Sequence, residues 1–91
     1  METDEGVPNL DAMTDAELAE FATSHRDGAG AHRLFPNPTP GVVNAVASLA
    51  TYARWALTAR RQRSAGRIAD ALRWEASCEA IYSNLPGWAR W

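Results

Sequence analysis

The sequence predicts an all-α fold, a small three-helix bundle in one domain. Three observations point there. Apolar residues recur at three- and four-residue steps in three separate stretches. Each stretch is bounded by residues that start or stop helices. The break between the second and third stretches, Ser64-Ala65-Gly66, is too short for anything but a helical hairpin. Ninety-one residues make one domain with a modest core.

The first helix is expected over about 15–26. Thr14 and Glu17 have capping-box spacing, and Met13 and Leu18 fit a hydrophobic staple. Leu18, Phe21, Ala22 and His25 share one face, and Asp27-Gly28 ends the helix. Before it, residues 1–12 read as a flexible acidic leader, which leaves 13–91 as the single helical domain. Residues 27–41 carry three prolines and three glycines, which predicts a connector without a regular element. Leu34 and Phe35, apolar in its middle, are expected to tuck under the bundle.

The second helix is expected over about 40–63, with Thr39 as N-cap and Pro40 at the first helical position. Val42, Val46, Leu49, Ala53 and Ala56 form one stripe. Tyr52 and Trp55 lie on another side, so this helix is apolar on two faces and reads as the central one. The third helix is expected over about 67–84, with Ile68, Ala71, Trp74, Cys78, Ile81 and Leu85 as its inner stripe. It forms the hairpin with the second helix, the first packs across both, and residue 78 should lie near residue 52. Pro86 stops the third helix and opens a short C-terminal turn. There Trp88 and Trp91, three apart, are expected to face the same way, and at least one should fold back on the hairpin.

Two stretches carry resemblances. Residues 52–86, with Trp55, Gly66, Ala71 and Pro86, resemble a single tetratricopeptide-type hairpin, without the further copies a solenoid needs. The segments HRLFP at 32–36 and IYSNLPGWARW at 81–91 look like parts of small helical proteins of bacteria and their phages. That resemblance would cover about 13–91. It implies a compact helical fold and a cytoplasmic or phage-encoded origin, and transfers no activity and no site residue.

Composition narrows the function classes. One cysteine, Cys78, excludes an intramolecular disulfide and a cysteine-based zinc site. No apolar run approaches membrane-spanning length and the N-terminus lacks a signal-peptide core, so no membrane partner is expected and the location is expected to be cytoplasmic. All nine cations are arginines. Residues 1–33 hold eight acids against two arginines and residues 34–91 seven arginines against three acids, so an acidic front faces a basic back.

No catalytic constellation stands out, so the chain is not expected to be an enzyme, and no cofactor or metal is expected. His25 and His32 match no ligand spacing, and His25 reads as a core residue with a backbone partner. Gly28-Ala29-Gly30 lacks the strand and Lys of a phosphate loop and reads as a turn. Cys78 reads as a small core residue. Glu75 is expected to pair with an arginine of the second helix, Arg54 by rough register.

The expected function is that of a small non-catalytic interaction or accessory protein. It would bind another protein, or itself as a homo-oligomer, through an aromatic surface drawn from Tyr52, Trp55, Trp88 and Trp91. The alternative is a nucleic-acid-binding protein whose Arg60, Arg61, Arg63 and Arg67, around the turn between the second and third helices, contact phosphates.

Overall fold

A computed structural model describes residues 7–91. Among these residues there is no strand, and four α-helices are joined by short turns. They are α1 (Asp15–Ser24), the one-turn α2 (Ala31–Leu34), α3 (Pro40–Ser64) and α4 (Ile68–Asn84). The all-α bundle with a helical hairpin is therefore observed, with α3 at its centre, α4 on one side and α1 on another. At 1.5 Å per residue, the 25 residues of α3 account for most of the 42 Å long axis.

Local chemistry explains most element boundaries. Glu17 N–H donates to Thr14 Oγ1 at 3.1 Å, and Thr14 N–H donates to Glu17 Oε1 at 2.8 Å, closing the capping box of α1. Val42 N–H donates to Thr39 Oγ1 at 3.3 Å, with Pro40 in the first turn of α3 where its missing N–H costs nothing. At the other end, Gly66 takes φ +81. Gly66 N–H reaches Arg63 O at 3.1 Å and Arg67 N–H reaches Gln62 O at 2.8 Å. This is a Schellman closure, which satisfies the last carbonyls of α3 and reverses the chain into α4. The register expected for the hairpin holds, for Cys78 Sγ lies 3.8 Å from Tyr52 O.

Four expectations are corrected. The connector 27–41 is not wholly irregular, because after Gly30 (φ +69) the sequence Ala-His-Arg-Leu closes one helical turn before Pro36 stops it. The packed domain does not begin at residue 13 but earlier, inside the expected leader 1–12. Residues 1–6 lie outside the described residues, but Leu10 is fully buried in the core, and Val7 and Met13 pack against it. Residues 10–12 form a 3₁₀ turn capped by Asn9. Ile68 is 45% exposed rather than part of the inner stripe of α4. Ten steps of about 100° separate it from Cys78, so it lies about 80° round the helix from that buried position. Finally, Glu75 pairs with Arg63, not Arg54. Those arginines are nine residues apart and so stand on opposite sides of α3, and only Arg63 faces α4.

The turn before α2 is held by contact. Asp27 and Gly28 have positive φ, 56° and 87°. A Cβ at Gly28 would come within 2.5 Å of Val43 Cγ1 and 2.7 Å of Val43 O, so the chain approaches α3 as closely as only glycine allows. The buried His25 completes the turn, its Nδ1 donating to Ala29 O at 2.9 Å and its ring packed at a tilt against Phe21, with centres 4.6 Å apart.

Candidate functional site

The C-terminal eleven residues place two tryptophans in opposite settings. Leu85 and Ala89 are buried, 4% and 0% exposed, and pin the turn Gly87–Ala89 to the bundle. In a 3₁₀ turn successive side chains are about 120° apart. With Ala89 inward, Trp88 points out and is 49% exposed. Its one aromatic neighbour is Phe35, edge to face with ring centres 5.2 Å apart. Phe35 is extended, as a residue before proline prefers, which carries its ring from the end of α2 toward the tail.

The two tryptophans do not face the same way. The 3₁₀ turn ends at Ala89, and Arg90 is extended (φ −91, ψ 149), which turns Trp91 back toward the hairpin. Trp91 packs edge to face on both Tyr52 and Tyr82, at 4.8 and 4.7 Å. Its Nε1–H donates to Asp11 Oδ2 at 3.1 Å, and its carbonyl accepts Tyr82 Oη–H at 2.7 Å. Asp11 Oδ1 accepts Tyr52 Oη–H at 2.7 Å. One carboxylate from the leader thus ties α3 to the last residue of the chain. Arg90 adds a bond to Ser83 O at 3.0 Å and lies over the Tyr82 ring.

The other residues singled out in the sequence fall inside this framework. Tyr52 is 8% exposed and is a core residue rather than an exposed anchor, covered by Asp11 and Trp91. Trp55 is half-buried against Trp74 of α4, with ring centres 5.8 Å apart. Burial and the adjacent Asp11 carboxylate hold the Tyr52 hydroxyl far above its ordinary range. Burial, and then the charges of Asp11 and Glu75, push the Cys78 thiol up to about 11. A thiol so protected is a poor nucleophile.

The arginines near the α3–α4 turn do not form one free cluster. Arg60 folds back on the N-terminal segment, donating to Met13 O at 2.7 Å, Asp15 Oδ1 at 3.1 Å and Asp11 O at 3.2 Å. Arg63 forks onto the Glu75 carboxylate at 2.8 Å. Arg61 and Arg67 are exposed. The alternative site of Arg60, Arg61, Arg63 and Arg67 is therefore split, because carboxylates and carbonyls distant in sequence already occupy two of the four. Among the described residues no group of three or more His, Cys, Asp or Glu stands close enough to hold a metal ion. No helix among them is long and apolar enough to cross a membrane.

Sequence reasoning missed Asp11 and Phe35. Asp11 read as one more acid of the leader, and its partners lie 41 and 80 residues away. The Leu34-Phe35 pair did signal a tied-down loop, but not that its partner is Trp88. Compared with known proteins, the chain matches no family model, no curated protein and no solved structure.

Proposed function

We propose that the chain is a small non-catalytic interaction protein that binds another protein through its C-terminal turn, with Trp88 as the anchor and Phe35 beside it. The observation that carries this reading is that Trp88 is exposed on a turn pinned on both flanks, by Leu85 and by Ala89 with the Trp91 lock. An exposed tryptophan on a rigid mount loses little freedom on binding. Buried aromatic anchors of this kind supply much of the energy at interfaces. The patch is small, one indole and one ring edge, whereas a stable symmetric dimer buries about 800 Å² on each side. That favours insertion of Trp88 into a pocket on a different protein over self-association. The non-catalytic part rests on the groups best suited to chemistry being committed to structure: Cys78 is buried with a raised pKa and His25 is bonded to the backbone.

The test is capture from the native host with immobilised wild type, Trp88→Ala and Leu72→Ala. Leu72 is equally exposed, at 55%, but about 18 Å of helix separates it from the end of α4. A protein retained by wild type and Leu72→Ala and lost by Trp88→Ala supports the reading. The same proteins on all three columns, or a dimer in light scattering that Trp88→Ala dissolves, contradicts it.

A further inference from the structure

Three arginines that the fold leaves unused meet at one place. Arg26, Arg54 and Arg61 line a cleft of about 430 Å³ between α1 and α3. The guanidinium groups of Arg60, Arg63 and Arg90 are each bonded within the molecule, whereas among the described residues no guanidinium of these three donates to a protein group or forms an ion pair. The sequence puts them together for two reasons. Arg54 and Arg61 are two helical turns apart and so share a face of α3. Arg26 stands on the turn that Gly28 presses against α3, so its backbone is fixed across the cleft from them. Asp27 is the one carboxylate in the lining, which leaves the cleft with a net charge of +2 in a protein of net charge −2. Alanines at 19, 22 and 50, with Leu57, leave the space open and give it an apolar wall.

We propose that this cleft binds a small organic phosphomonoester. Guanidinium forks match phosphate oxygens two at a time. A terminal phosphate carries close to two negative charges at neutral pH and presents three acceptor oxygens, which balances the lining charge, whereas a single carboxylate leaves it cationic. The volume lies within the range of small-molecule sites, and the alanine and leucine wall receives the organic part of the ligand. A nucleic-acid backbone offers one charge per phosphate, with both ester positions occupied, and needs a track longer than this cleft.

The experiment is calorimetric titration of the whole chain at low ionic strength. The probes are adenosine monophosphate, inorganic phosphate, cyclic adenosine monophosphate and adenosine. Saturable binding of adenosine monophosphate is expected. The cyclic diester, one charge poorer, should bind about tenfold more weakly, and adenosine should not bind. Arg54→Gln and Arg61→Gln should each weaken adenosine monophosphate by about tenfold or more. Arg73→Gln, an exposed arginine on α4 outside the cleft, should leave it unchanged. All three side chains are exposed, so the variants should melt with wild type. Three results overturn the proposal. One is no saturable binding of either adenosine monophosphate or inorganic phosphate. Another is equal weakening by Arg73→Gln. The third is random-sequence duplex DNA bound more tightly than the nucleotide and lost in the Arg54 and Arg61 variants, which would make the cleft a nucleic-acid contact.

Discussion

Trp88 and Trp91 stand three residues apart on the same tail, and the fold uses them in opposite ways. Trp91 makes two aromatic contacts and two hydrogen bonds, which reach α3, α4 and the N-terminal segment. Trp88 makes one edge contact and is half exposed. Composition cannot account for the difference, because the residue type is the same. It comes from one backbone change: the 3₁₀ turn ends at Ala89 and Arg90 extends, so the two rings leave the chain in different directions. A terminal aromatic is therefore structural or available according to the geometry of the few residues that carry it.

The largest effect should come from breaking the locked side. Trp91→Ala removes both edge contacts and the Nε1–Asp11 bond, a loss of about 2–4 kcal/mol. At about 4–8 °C per kcal/mol for a domain of this size, the melting temperature should fall clearly. Asp11→Ala comes next, because it strands the Tyr52 hydroxyl in a buried setting, at about 1–3 kcal/mol. Combined, the two substitutions should cost less than their sum, since both break the Trp91 Nε1–Asp11 bond.

Raising the pH should loosen the same side. Cys78 and Tyr52 both hold their protons more tightly in the folded chain than at their ordinary values of 9.0 and 10.0. The stability they contribute is therefore fully present below about pH 9 and is lost as pH rises, for Cys78 up to its folded value of about 11. Cys78→Ala should flatten the fall in melting temperature between those two values. The smallest effect belongs to the free side. Trp88→Ala should change stability by no more than about 0.5 kcal/mol, as expected for an exposed residue with one weak contact.

What could be read from the sequence was local. The Thr14-Glu17 box, the Thr39-Pro40 start and the break at Gly66 each act within a few residues, and each appears where the spacing predicts. The register of the hairpin followed because a three-residue break leaves it little freedom. The features that were not legible depend on long-range contacts. Leu10 is a lone apolar residue in an acidic stretch, and only the assembled bundle shows that it fills the core. Asp11 becomes a junction because α3, α4 and the tail converge on it. Arg60 looked like one of a basic group until the N-terminal segment supplied its acceptors. Ile68 was misplaced because a stripe drawn at three- and four-residue steps drifts round a helix of 3.6 residues per turn. The candidate site was half legible. The tail tryptophans stood out, but their division into one lock and one exposed ring rests on the conformation of Arg90.

Collisional quenching by acrylamide, compared between Trp88→Phe and Trp91→Phe, tests that division most directly. Phenylalanine keeps a ring in each place, so the fold should survive both changes. Trp88→Phe should abolish the most readily quenched, red-shifted part of the tryptophan emission, and Trp91→Phe should leave that part in place. If Trp91→Phe removed the quenchable component and Trp88→Phe preserved it, or if the two variants quenched alike, the assignment of one tryptophan to the fold and the other to the surface would be contradicted.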